Sequence, residues 1–251
     1  KKDVRVLFRA GTYELAAPLV FTPADSGTAE HSITYAAAPG ETVVLSGGRR
    51  IRSWKAGPDR RWKAELPEVR AGKWFFRQLT VGGARAVRAR WPEEDGRLRV
   101  ASVSEGVRAF TFDQPLPKED LGGQEAELVV YQNWSVSRAR VVSSDERGLR
   151  TATPVGWIGH GDWTTTSPGK PAFLEHARAF LDRPGEWFLD RAAGLLTYLA
   201  REGEDPARTA AVAPVLGQLV KIAGTKGNPV RNLRFEGLRF EHTDFPLPPF
   251  G

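Results

Sequence analysis

The chain opens on apolar runs too short to be helices. Val4-Arg5-Val6-Leu7-Phe8 is ended by Gly11, Pro18-Leu19-Val20-Phe21 by Pro23-Ala24-Asp25-Ser26-Gly27, Ile33-Thr34-Tyr35-Ala36 by Pro39-Gly40, and Val43-Val44-Leu45 by Gly47-Gly48. Short runs rich in β-branched and aromatic residues, punctuated by Gly, Pro and Asp, are an all-β pattern. A βαβ unit needs a helical crossover of about a dozen residues, and none fits between these runs. Short parallel strands joined by tight turns instead predict a coiled solenoid, whose coils bury their apolar faces only by stacking on one another.

The character changes near Ile51. All eight tryptophans lie between Trp54 and Trp187. This divides the chain into an N-terminal cap and first coils (1–50), an inserted β-rich domain (51–212) and resumed coils (213–251). Within the insert, segments 75–81 and 84–91 flank Gly82-Gly83, a two-residue hairpin signal. Segments 127–131 and 136–142 read as further strands, and 186–189 and 195–198 as another hairpin. One short helix is predicted over Pro171–Leu181, between Ser167-Pro168 and Pro184-Gly185. After Pro214 the short strands return. Leu-Arg-Phe-Glu occurs at 233–236 and again at 238–241, broken by Gly237. Asn228 and Asn232 suit left-handed turn positions between coils.

Composition narrows the function classes. Hydrophobic residues make up 41% and charged residues 26% of the 251 residues, an ordinary globular balance. No apolar run approaches the ~20 residues of a membrane span. The net charge of +6 comes from 27 Arg against 9 Lys, scattered among 30 acidic residues. Interleaving of this kind describes a solvated surface rather than a nucleic-acid stripe, with an acidic polysaccharide as the second reading. The absence of cysteine excludes disulfides, thiolate zinc sites and thiol nucleophiles. There is no phosphate-binding loop, dinucleotide fingerprint or nucleophile elbow. The chain starts at Lys1 without methionine and ends on Phe245-Pro246-Leu247-Pro248-Pro249-Phe250-Gly251 directly after a strand. Both ends are expected to be truncations.

Several segments then carry a resemblance. Leu7-Phe8-Arg9-Ala10-Gly11-Thr12-Tyr13-Glu14-Leu15, Ile33-Thr34-Tyr35, Pro39-Gly40-Glu41 and Leu45-Ser46-Gly47-Gly48 resemble the opening of bacterial right-handed β-helix enzymes. Pro184 to Arg191, Gly194 and Leu196 to Leu199 are similar to the end of their inserted β-domain. Asn232 to Asp244 looks like their first repeat after it. The family named by this resemblance is the family 141 glycoside hydrolases, with fucosidase and xylanase activities. It implies a right-handed parallel β-helix (pectin-lyase-like) interrupted by a β-rich insert, a carbohydrate substrate, and a secreted or periplasmic monomer without nucleic-acid or membrane partners. In such enzymes the catalytic carboxylates are expected on later coils, beyond residue 251. A polysaccharide lyase and a non-catalytic carbohydrate-binding β-helix surface protein are the alternatives.

Glycoside hydrolysis uses two carboxyl groups flanking the scissile bond, and on a solenoid these come from different coils. Glu236 and Glu241 each follow a Phe, so strand alternation turns them outward. His242 and Asp244 lie two apart in an extended segment, so they are expected to share a face and meet, where such a pair can orient a sugar hydroxyl. His160, Asp162 and Trp163 sit in a Gly-rich stretch of the kind that carries binding residues. These five are the candidate substrate-binding residues. No ligand spacing supports a metal centre from His160, Asp162 and His242, and no cofactor is expected. Trp54, Trp62, Trp74, Trp91, Trp134 and Trp187 are expected in the core of the insert, with a carbohydrate platform as the alternative.

Overall fold

The structure, a computed structural model, describes residues 2–93, 96–156 and 166–245. It is all-β and divides into two compact units. The first takes Lys1–Arg52, Trp74–Arg85 and Ala210–Pro246; the second takes Ser53–Lys73 and Ala86–Thr209.

In the first unit the short strands pair in parallel. Val4–Phe8, Ile33–Ala37 and Leu233–Glu236 form one ladder, and Gly11–Glu14, Val43–Ser46 and Leu238–Glu241 a second. Leu19–Phe21 pairs with Val220–Ile222 in a third. The chain visits the ladders in the order first, second, third, first, second, and after the second unit third, first, second. The Leu-Arg-Phe-Glu repeat supplies the last visit to the first two ladders. Its Phe235 stacks on Tyr35 at 5.7 Å and meets Phe21 at 5.3 Å. Leu238 and Phe240 align with Val43 and Leu45, which are buried. On the opposite face Arg5 and Glu236 form a 2.7 Å ion pair from the two edges of their ladder. Asn232 adopts φ +53° and Gly237 φ +66°, the left-handed corners that Asn and Gly accept at least cost. An antiparallel group of Gly48–Ile51, Ala211–Pro214 and Leu79–Val81 completes the unit.

The second unit holds a closed barrel. Leu98–Ser104 pairs with Ala109–Phe112, then in turn come Gly148–Thr151, Val136–Asp145, Glu127–Tyr131 and Pro171–Glu175, which pairs back to Leu98–Ser104. Register shifts at Val100/Ser102 and Val141/Ser143 bend the two longest strands, which lets a twisted sheet close. The interior is apolar, with Leu98, Val100, Phe110, Leu128, Val130, Val141, Leu149 and Leu174 all buried. Beside it run Glu186–Asp190, Leu195–Leu199, Arg61–Glu65 and Lys55–Ala56, paired in that order.

Two expectations are corrected. The predicted helix over Pro171–Leu181 is instead a strand, Pro171–Glu175, followed by a single 3-10 turn at Arg178–Phe180. Residues Ala172–Glu175 are buried on both faces as the strand that closes the barrel, and that tertiary demand overrides helix propensity. The helix that does form is Pro67–Arg70. Among the tryptophans expected in the core of the insert, Trp62 and Trp187 are buried in the second unit, Trp74 is buried in the first, and Trp134 is 63% exposed.

Candidate functional site

The strand Leu238–Glu241 sets Glu241 in register with Ser46, and the Gly47 N–H continues the ladder by donating to the Glu241 carbonyl at 3.0 Å. His242 then turns to φ +60°. That left-handed residue interrupts the two-residue alternation that would have placed His242 and Asp244 on one face. Space for the turn comes from Gly48, where a Cβ would lie 2.8 Å from the Cβ of His242.

The imidazole folds back onto the paired strand Val43–Ser46. Its Nδ1 lies 2.9 Å from the Oγ of Ser46, a side chain buried to 1% exposure. The same Oγ accepts the Gly48 N–H at 3.2 Å. The hydroxyl has one proton to donate and a second lone pair to accept with, so it can pair with Nδ1 in either tautomer of the ring. Nε2 is 3.9 Å from Oε2 of Glu241, within ionic range but beyond hydrogen-bond distance. Burial holds the His242 pKa below its ordinary value, and Glu241 only partly opposes this. The order Ser46, His242, Glu241 has the residue types of a nucleophilic triad. With Ser46 closed off from solvent, this arrangement is a latch between neighbouring parallel strands.

Asp244 takes a different direction. Its N–H donates to the Leu216 carbonyl at 2.8 Å, fixing the backbone. Partial burial raises the carboxyl pKa, opposed by the Phe245 N–H and by the charge of Arg77. The Arg77 guanidinium lies 5.6 Å over the Phe75 ring. On the same segment Arg49 lies 4.7 Å over Trp74, whose indole N–H donates to the Pro214 carbonyl at 2.9 Å. The result is a partly exposed carboxyl group within electrostatic reach of a guanidinium that rests on an aromatic ring. Such a set supplies an acceptor, a planar donor fork and an apolar face, the three features a sugar ring engages.

His242 and Asp244 are both partly accessible, but no hydrogen bond joins them among the described residues. His160, Asp162 and Trp163 lie outside the described residues. Ser46 and Arg77 were not foreseen. Ser46 stood in the Leu45-Ser46-Gly47-Gly48 segment that carries the resemblance, with no role of its own; Arg77 gave no local signal.

The class these observations define is an all-β chain with cyclic parallel ladders in one unit and a closed barrel in the other. The model of the GH141 insertion domain family matches residues 59–201. The chain belongs to that family. A solved structure titled "Glycoside hydrolase" matches with TM-score 0.79 and 29% identity, over 97% of this chain and 44% of that one. This chain therefore spans less than half the length of that protein. A second, titled "The complex structure of XylC with xylose", aligns over 99% of this chain and 32% of its own at 14% identity and TM-score 0.39, and no argument rests on it. No curated protein matches.

Proposed function

We propose that this chain is the N-terminal part of a glycoside hydrolase of fucosidase- or xylanase-like class, acting on a polysaccharide or oligosaccharide. The match to a glycoside hydrolase over 97% of the chain at 29% identity carries this reading. In it, the parallel ladders are the first coils of a right-handed β-helix. The cyclic order of the ladders supports a helical path, and parallel crossovers within a sheet are right-handed in about 98% of cases. The catalytic carboxylates lie on coils beyond residue 251, in keeping with the 44% coverage of the matched protein. Asp244, with Arg77, contributes hydrogen bonds to a sugar bound along the coils, and His160, Asp162 and Trp163 supply further contacts. The enzyme works outside the cytoplasm, secreted or periplasmic.

The test is product analysis with the natural full-length protein on aryl fucosides, aryl xylosides and a polysaccharide panel. The reading expects new reducing ends without unsaturated uronate ends. Unsaturated ends would make the protein a lyase, and binding without turnover would make it a sugar-binding protein.

A further inference from the structure

Trp134 is the one tryptophan among the described residues that stands largely in solvent, at 63% exposure. A single exposed apolar residue means little by itself; the construction around this one carries the argument. Trp134 sits at the tip of the hairpin formed by Glu127–Tyr131 and Val136–Asp145, closed by the Gln132 N–H donating to the Ser135 carbonyl at 2.9 Å. Gln132 fixes that tip. Its Oε1 accepts from Ser135 Oγ at 3.0 Å and Ser137 Oγ at 3.1 Å, and its Nε2 donates to Thr166 Oγ1 at 3.0 Å. Thr166 is buried and donates in turn to the Val155 carbonyl at 2.9 Å. The hairpin thus holds a large apolar ring in water on a tip that is ordered in advance, which lowers the entropy cost of binding.

Two cations stand beside the tip, and the Asp113 carboxylate accepts the Arg99 backbone N–H at 2.8 Å. Lys170 Nζ donates to the side-chain oxygen of Asn133, next to Trp134. Arg99 Nη1 donates to the Gly169 carbonyl at 3.2 Å, one residue from Lys170. Both bonds go to neutral oxygens, and neither cation pairs with a carboxylate among the described residues. The Arg97 guanidinium lies 5.9 Å over the ring of Tyr131, at the base of the same hairpin.

We propose that this barrel tip is a binding subsite for a uronate-containing polysaccharide, separate from the Asp244 cluster. The indole of Trp134 covers the apolar face of a pyranose ring, and Lys170 and Arg99 receive the carboxylate of the same or the next sugar. The proposal rests on the carbohydrate reading above and adds the acidic class of the ligand.

The test is calorimetric titration of the purified chain with oligosaccharides from polygalacturonate, alginate and glucuronoxylan, each against a neutral xylan or β-glucan oligosaccharide. At least one acidic oligosaccharide should bind about tenfold or more tightly than the neutral ones, and the preference should fade at 1 M salt, where screening acts within about 3 Å. Trp134→Ala should weaken that binding about tenfold, and Lys170→Ala should remove most of its salt dependence, both with unchanged melting temperature. No preference for acidic oligosaccharides, or wild-type binding by Trp134→Ala, overturns the subsite. Assaying the wild-type full-length protein on neutral aryl glycosides separates the two claims. An active enzyme without acidic-sugar binding refutes only the subsite, and an inert protein that binds refutes only the hydrolase.

Discussion

At the scale of single residues, the structure separates two side chains that stand two apart in the chain. The His242 ring is the hydrogen-bond partner of a buried serine hydroxyl, and its removal takes that partner away. His242→Ala should therefore cost about 1–3 kcal/mol of folding stability, measured by chemical denaturation. The pH dependence has a defined sign. The folded-state pKa is depressed by burial, so the unfolded chain takes up the proton first, and the stability held by this ring is lost as pH falls through and below the ordinary histidine value. His242→Ala should lose that dependence. Asp244 is only partly buried and feels the charge of Arg77. Asp244→Ala in the full-length enzyme should leave the melting temperature within about 2 °C, an effect below ~0.5 kcal/mol, and lower kcat/KM by roughly 10–100-fold, as loss of a charged hydrogen bond to substrate predicts. A sharp drop in melting temperature with unchanged kcat/KM would make Asp244 structural.

At the scale of elements, the barrel is closed by a strand whose sequence alone reads as helix, and the closure brings two carboxylates together. Glu127 and Glu175 sit directly opposite one another in their strand pairing, a repulsive arrangement by itself. Arg88 resolves it, with Nη1 2.8 Å from Glu127 and 2.6 Å from Glu175. Burial works against the charge of Arg88, but the two carboxylates together outweigh it. Arg88→Met should destabilise the barrel by about 3–5 kcal/mol, because it removes the buried cation that joins the two carboxylates, leaving Glu175 with Arg138 at 3.5 Å. Adding Glu127→Gln and Glu175→Gln should recover much of that loss in the same denaturation assay. On the neighbouring strand, Glu186 is 3% exposed and accepts backbone N–H bonds from Arg90, Asp182 and Arg183. Burial dominates over these bonds and pushes its pKa up to about 7. A carboxyl raised in the folded state binds its proton there while the unfolded chain has already released it. Stability from this group therefore declines as pH rises from about 4.5 to about 7 and is level outside that window. Melting curves of wild type and Glu186→Gln should differ in slope across that window, whatever constant offset the substitution adds. Parallel slopes would contradict the assignment.

At the scale of the whole molecule, what the sequence disclosed follows how far apart the determining residues lie. The ladders were legible because each strand announces itself locally, through its alternation and the Gly or Asn that ends it: the repeated Leu-Arg-Phe-Glu, Gly237 and Asn232 behave as their spacing predicts. The Gly82-Gly83 turn, with φ +58° and +78°, was equally local. The barrel closure was not legible, since Ala172 must pair with Leu98 on one side and Val130 on the other. Nothing near Pro171–Glu175 records those partners, and the strand was read as helix. Tryptophan clustering did not separate the two units, since Trp74 belongs to the first, and it could not distinguish Trp187, fully buried, from Trp134 on an exposed hairpin tip. The site was legible in part. Asp244 and His242 could be named from the chain, whereas Ser46 and Arg77 are brought to them only by the fold.

The central claim is that this chain supplies part of a carbohydrate-cleaving enzyme whose chemistry resides further along the polypeptide. The most direct measurement is side-by-side turnover of the natural full-length protein and of this 251-residue chain on the same aryl glycosides and polysaccharides, at equal molar concentration. The account predicts hydrolysis by the full-length protein and none by the shorter chain, even where the shorter chain binds the polysaccharide. Comparable hydrolysis by the 251-residue chain alone, or a folded full-length protein inert toward every glycoside offered, would contradict it.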